Sequence, residues 1–317
     1  MEIDNNVLNL NSVRCKSPKV VQIEVTSRCN LNCLNCVSVQ LKQKKDMSFE
    51  TFSSLLERID KSNIKKLILN GVGEPFLNPN LIDILQQCKR NNIPEVELYT
   101  NATLIDDKVM SIFENDILST IIFSIDGATK ESYEKIRCGA RFENVLKNIS
   151  LVSHYKKLNK KIHFVLSQEN LDSINLLPGL CEKLHIKSLV VVELIPFLIK
   201  KTRRQSEDLR NYMPSQSKNL SNVIFNLKND CEKLNVKLKI RLGWWKMQCS
   251  LPFNHIYINV EGNVSPCCRI QENISMGNLL DKQFDLIWNG KKLLNWRYNM
   301  KSNSPPAECV ACQSLPE

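Results

Sequence analysis

The chain has 317 residues, 43% of them hydrophobic, which is ample for one large domain and a smaller one. Its opening stretch, MEIDNNVLNLN, carries no apolar run, and its longest apolar stretch, Leu189 to Ile199, is broken by Glu193 and Pro196; neither a signal peptide nor a membrane span is expected. The formal charge of +10 comes from scattered lysines with short runs at 42–45 and 200–204, without the interleaved aromatics of a nucleic-acid stripe; it reads mainly as solvated surface, with an acidic peptide or phosphorylated substrate as the alternative.

From residue 20 the chain alternates β-branched runs with amphipathic segments. VVQIEV (20–25), KLILN (66–70), EVELYT (95–100), TIIFSI (120–125), IHFVLS (162–167) and LVVVEL (189–194) predict six strands. Between them FETFSSLLERI, NLIDILQQCKR, DDKVMSIFEN, FENVLKNISLVSHYKKL and INLLPGLCEKL repeat apolar residues at three- and four-residue spacing, as helices do. Strand–helix alternation with short loops gives parallel strands and right-handed crossovers. The fold class is therefore α/β, and six units fall short of the eight that close a full barrel. In such folds the active site lies beyond the carboxyl ends of the strands.

After Lys200 a polar segment leads into a helix running to about Leu234, and VKLKIRL reads as a further strand. HIYINVEGNVSPCC reads as a hairpin turning at Glu261-Gly262-Asn263. One helix, about Phe284 to Tyr298, precedes the tail PPAECVACQSLPE. The expected organisation is an N-terminal arm (1–17), a core (18–203), a linker helix and strand (204–242) and a small α+β domain (243–317).

Thirteen cysteines in a chain expected to be cytoplasmic point to metal or catalysis before disulfides. Three lie in the loop leaving the first strand, as Cys29-x3-Cys33-x2-Cys36. A structural zinc site wants four closed ligands, and this loop supplies three. Three thiolates on a [4Fe–4S] cluster leave one iron open to another ligand, a sensible arrangement for an enzyme. Cys249, Cys267, Cys309 and Cys312 supply four ligands near the C-terminus, enough to close either a zinc site or a fully ligated cluster.

The three-cysteine loop at the start of a (β/α)6 pattern resembles the radical S-adenosylmethionine (radical SAM) superfamily. The resemblance implies a partial (β/α)6 barrel whose open iron binds S-adenosylmethionine, and it extends along the core. NGVGEP (70–75) matches the family's GGE-type motif, implying that Gly73 brings backbone close to the ligand and that Glu74 accepts from the methionine ammonium. TNATLI (100–105) resembles the TNG element and puts Asn101 near the ribose. FSIDGATKESYEKIRCGA offers Ser124 and Arg137 to the ribose or methionine carboxylate, with Asp126 close by. Two positions depart from the pattern: Val72 replaces a frequent glycine, and Asn35 replaces the aromatic residue that often lies near the adenine.

The C-terminal phrase EGNVSPCC…PPAECVAC is similar to the SPASM/twitch extensions of this superfamily, in their shorter one-cluster form, and implies an auxiliary [4Fe–4S] cluster held by Cys249, Cys267, Cys309 and Cys312. The family reading implies reduction of bound S-adenosylmethionine, hydrogen abstraction from a substrate, and electron relay through the auxiliary cluster. An external donor such as flavodoxin or ferredoxin would supply the electrons. The leading expectation is dehydrogenation of an alcohol or sugar-type metabolite. The alternative is maturation of a ribosomally made peptide, for example epimerisation with Cys268 as hydrogen donor; a non-catalytic iron–sulfur or zinc protein stands third. Cys88, Cys181 and Cys231 fall in helical patterns and read as small core residues; Cys15 and Cys138 have no evident role.

Overall fold

A computed structural model describes residues 10–40, 44–114, 116–195, 214, 217, 219–242, 249–269, 274–302 and 304–313, with backbone alone at 39, 40, 108 and 311–313. Most of the polar segment after Lys200 and the opening arm before residue 10 lie outside the described residues.

All six expected strands form: β1 (Val20–Ile23), β2 (Lys66–Leu69), β3 (Val96–Thr100), β4 (Thr120–Ser124), β5 (Asn159–Leu166) and β6 (Ser188–Glu193). They pair in chain order, every pair parallel. β7 (Lys237–Arg241) continues the series, parallel to β6. The hairpin of β8 (His255–Ile258) and β9 (Asn263–Ser265), with the short β10 (Gly277–Asn278), attaches at the other end. β8 lies parallel to β1, with Val20 opposite His255 and Ile23 opposite Ile258. One ten-stranded sheet, β10-β9-β8-β1-β2-β3-β4-β5-β6-β7, therefore runs through the core and the C-terminal extension.

The helices follow the apolar spacing. In α1 (Phe49–Arg58) Phe52, Leu55 and Leu56 are buried, and the Ser48 hydroxyl caps the first turn by accepting from Thr51 N–H. α2 (Leu81–Arg90) buries Leu81, Ile84, Leu85 and Cys88, with Asp83 in its first turn and Lys89 and Arg90 in its last, the charge order that suits the helix dipole. After the one-turn α3 (Ser111–Glu114) come α4 (Lys130–Ile136), opened by a capping box between Thr129 and Ser132, and α5 (Phe142–Val152). α6 (Leu177–Lys183) and α7 (Leu220–Lys233) complete the crossovers. Cys88, Cys181 and Cys231 are fully buried among these apolar faces, as small core residues. Each Leu or Ile so buried contributes about 1.5–3 kcal/mol.

The C-terminal region adds α8 (Leu251–Asn254), α9 (Phe284–Trp288), α10 (Lys291–Lys301) and α11 (Ala307–Gln313). The single helix expected over 284–298 is two: Asn289-Gly290 breaks it, with Gly290 in extended backbone as the N-cap of α10. A Cβ at Gly290 would collide with the Leu286 carbonyl, so the bend requires glycine. In the hairpin, Gly262 has φ +83° and its N–H bonds the Asn259 carbonyl at 2.9 Å, so the turn sits at 259–262. Cys15 has a structural place: its N–H and C=O both bond the Asn289 amide side chain at 3.1 Å, while Trp288 Nε1 donates to the Lys16 carbonyl at 2.7 Å. The arm thereby ties the beginning of the described chain to its end. Among the described residues no helix is long and apolar enough to cross a membrane.

Candidate active site

The loop after β1 carries Cys29, Cys33 and Cys36 across the carboxyl ends of the strands. Its backbone is pinned from two sides. Asn32 N–H donates to the Cys138 carbonyl and Leu34 N–H to the Ile136 carbonyl, both at 3.0 Å. On the other side Arg28 donates through Nε to Asp46 Oδ1 (2.9 Å) and through a terminal nitrogen to the Leu77 carbonyl (2.6 Å). The Arg28 carbonyl in turn accepts from Glu74 N–H at 2.7 Å. Sequence reading passed over Arg28; a lone charged side chain at the start of a cysteine loop was the available signal.

The three thiols line one cavity of about 290 Å³ together with Gly73, Glu74, Tyr99, Asn101, Ser124, Arg137 and Cys268. Loops after β1, β2, β3 and β4, and the end of the β8–β9 hairpin, thus converge at one point. Gly73 earns its place sterically, since a Cβ there would lie 2.6 Å from the Arg28 carbonyl oxygen and closer still to that of Thr26. Glu74 is 2% exposed and accepts from Thr100 Oγ1 and Asn101 N–H, both at 2.7 Å. Burial pushes its pKa up to about 7, against the pull of these donors and of Arg137. Asn101 Nδ2 lies 3.0 Å from Asn30 Oδ1 and 3.9 Å from Cys29 Sγ, so the TN element touches the cysteine loop directly. Ala102, where the family element has glycine, adopts φ +61°.

Arg137 follows α4 and reaches the cavity from the β4 side. Its Nε lies 2.7 Å from Asp126 Oδ2, and Asp126 Oδ1 accepts from Val165 N–H at 2.9 Å. Asp126 is thus occupied by Arg137 and β5 and is not among the cavity-lining residues; it positions the guanidinium. Asn35 lines the cavity too, in the place where an aromatic ring would cover it. Tyr99 was overlooked, although the alternation Glu97, Tyr99, Asn101 already puts it on the inner face of β3.

Whether these residues suit an iron–sulfur cluster is answered by their chemistry. Thiolates are soft donors for iron, and the three stand close enough for each charge to oppose the next. Burial, then Glu74 and Cys36, push Cys29 upward against the Leu31 N–H and Arg137, and burial with Cys36, Asp126 and Cys29 pushes Cys33 to about 12 against Arg137. Backbone N–H groups aim at sulfur: Leu31 N lies 3.5 Å from Cys29 Sγ and Ser38 N 3.4 Å from Cys36 Sγ, the kind of contact that steadies cluster sulfurs. The donor set fits. Binding iron would displace protons that these thiols otherwise hold firmly.

In the C-terminal region Cys267 and Cys309 are buried, and Cys249 packs against the same core. Cys309 and Cys312 stand three apart on α11, hence on one face; the side chain of Cys312 is outside the described atoms. Among the described residues no three His, Cys, Asp or Glu side chains close on a single metal ion, and no cysteine is in a disulfide. Thiolates are soft donors that suit an iron–sulfur cluster. Neighbouring Cys267 and Cys268 diverge: the first enters this core, the second lines the cavity beside Cys29, Cys33 and Cys36.

Family models match in two places, the radical SAM superfamily over residues 23–177 and SPASM, an iron–sulfur cluster-binding domain, over residues 249–313. The chain belongs to the radical SAM superfamily and ends in a SPASM-type auxiliary cluster domain; it is an enzyme that uses S-adenosylmethionine on one [4Fe–4S] cluster and carries a second, auxiliary one. The tungsten-containing aldehyde ferredoxin oxidoreductase cofactor-modifying protein of Pyrococcus furiosus is 22% identical, over 93% of this chain and 87% of its own length. The GTP 3′,8-cyclase of Clostridium botulinum is 24% identical, over 84% of this chain and 86% of its own.

Among solved structures, Streptococcus suis SuiB bound to precursor peptide SuiA superposes with a TM-score of 0.71 at 16% identity, over 94% of this chain and 70% of that one. Native anSMEcpe with S-adenosylmethionine and the Cp18Cys peptide gives 0.67 at 19% identity, over 93% and 87%. BtrN with S-adenosylmethionine and 2-DOIA gives 0.54 at 17% identity, over 90% and 88%. These likenesses establish the partial barrel and its small α+β extension.

Proposed function

We propose that this enzyme modifies a peptide, taking a hydrogen atom from a backbone Cα and returning one from Cys268. The observation that carries this reading is the position of Cys268, on the same 290 Å³ cavity as Cys29, Cys33 and Cys36. The superpositions on SuiB with its precursor peptide and on anSMEcpe with a bound peptide support it. The dehydrogenation of an alcohol or sugar-type metabolite, expected first from the sequence, has weaker support, through the lower similarity to BtrN.

In this reading Cys29, Cys33 and Cys36 hold the first cluster, and Cys249, Cys267, Cys309 and Cys312 the auxiliary one. Bound S-adenosylmethionine and the reduced cluster supply the carbon radical that removes the substrate hydrogen. Glu74 accepts from the methionine ammonium, with Gly73 allowing close backbone approach. Arg137, steadied by Asp126, faces the carboxylate, while Asn101 and Ser124 hold the ribose. Cys268 then gives its S–H hydrogen to the Cα from the opposite face, and the sulfur radical returns to thiol with one electron and one proton. An external flavodoxin- or ferredoxin-type donor would supply that electron, and an auxiliary cluster held by Cys249, Cys267, Cys309 and Cys312 would relay it.

The test incubates candidate ribosomal peptides with the enzyme, reductant and S-adenosylmethionine in deuterated water. One deuterium should appear at a single Cα, and Cys268→Ala should form 5′-deoxyadenosine without completing the inversion. An oxidised product lacking solvent deuterium would contradict the proposal.

A further inference from the structure

A second cavity, of about 790 Å³, lies inside the sheet, bounded by the inner faces of β2 to β7, and its volume suits a substrate. Tyr99 lines both cavities and so stands between them. The wall beyond Tyr99 is basic. Period-two alternation puts Lys237, Lys239 and Arg241 on the face of the edge strand β7 that lines this cavity, where all three remain exposed to solvent.

The carboxylates of this cavity do not neutralise that wall. Glu97 is already shared by Lys66 (2.7 Å) and Lys161 (2.8 Å), and Glu232 ends α7, at the foot of β7 beside Asn235. Towards the active-site end stand Lys239 and Arg241, in no ion pair among the described residues. Arg241 repels Lys239 enough to lower its pKa, and it acts electrostatically on Tyr99 and His163 as well. His163 is held neutral by burial, its pKa lowered to about 4, so the positive charge is that of the Lys and Arg side chains. Both side chains are exposed, so solvent screens part of their mutual repulsion, and an anion seated between them relieves the rest.

We propose that Lys239 and Arg241 bind an anionic group of the substrate, an acidic side chain if the substrate is a peptide, and hold the reacting segment against Tyr99. The inference rests on the peptide reading for the source of the anion, not for the site. Fluorescence anisotropy on the full-length, cluster-loaded protein tests it, with labelled hexaglutamate and hexaglutamine as probes and inorganic pyrophosphate as competitor. The Lys239→Gln/Arg241→Gln double variant should weaken hexaglutamate roughly ten-fold or more, since charged hydrogen bonds contribute about 1.5–3 kcal/mol, and should leave hexaglutamine unchanged. Lys156→Gln/Lys183→Gln, the same charge change on exposed helix-side positions outside the cavity, should have no such effect, and Arg241→Lys should retain most of the binding. Pyrophosphate binding that depends on Lys239 and Arg241, without hexaglutamate binding, would uphold the anion site and overturn the peptide reading. Equal affinities in wild type and double variant for both anions would overturn the site itself.

Discussion

Glu74, beyond the carboxyl end of β2, and Glu97, near the amino end of β3, are 2% and 4% exposed, yet their surroundings drive them in opposite directions. Glu74, in the cysteine-lined cavity, is hydrogen-bonded by Thr100 and by backbone amides, all neutral, and burial lifts its pKa to about 7. Glu97, in the lysine-lined cavity, is also penalised by burial, but Lys161 and Lys66 outweigh that and hold it below the usual range. In the first cavity the guanidinium of Arg137 is engaged by Asp126 and no cation bonds Glu74 directly among the described residues, so this carboxylate favours an incoming ammonium. The second has cations to spare and favours an anion. One sheet presents two chemically opposite pockets on either side of Tyr99.

Breaking the second environment should have the largest effect. Glu97→Gln leaves Lys161 without its carboxylate and should lower unfolding free energy by about 3–5 kcal/mol, measured by denaturant titration at pH 7 beside the wild type. The first environment is probed by pH. Because the Glu74 pKa is raised in the folded state, the native protein holds a proton that the unfolded chain has released between pH 4.5 and about 7. Its contribution to stability therefore falls as pH rises through that window, by up to about 3 kcal/mol, and levels off above it. Glu74→Gln should flatten this decline. Glu97, with its pKa lowered, acts oppositely: its stabilisation is complete above pH 4.5 and is lost as pH falls through the folded value. The smallest effect is local. Ala102→Gly relieves a left-handed backbone and should raise stability by about 0.5–1 kcal/mol, read as a shift in melting temperature, after the greater freedom of glycine in the unfolded chain is subtracted.

Local patterns were the legible part of the sequence. The six strands, the helices between them and the three-cysteine loop each follow from spacing within about ten residues, and the GEP and TN elements from their resemblance to the radical SAM family. The pairing of β8 with β1 was not legible, because Val20 and His255 meet only through a register spanning the whole chain. The break at Asn289-Gly290 was written as a turn dipeptide but masked by apolar residues on both sides. The charge on β7 was read as part of a solvated surface, and its Lys and Arg side chains are exposed; alternation shows that they share a face, and only the fold shows that this face borders the 790 Å³ cavity. Asp126, expected close by Ser124 and Arg137, holds Arg137 at one remove from the cavity lining, a distinction of one side-chain layer that no spacing encodes.

The central claim is that an open cluster sits on Cys29, Cys33 and Cys36 and a closed one on the C-terminal cysteines. Iron and 5′-deoxyadenosine should be measured after anaerobic reconstitution of the wild type and of Cys29→Ala/Cys33→Ala/Cys36→Ala. The account predicts about eight irons per chain in the wild type and about four in the variant, with reductive formation of 5′-deoxyadenosine in the wild type alone. Equal iron in both proteins, or 5′-deoxyadenosine from the variant, would contradict it.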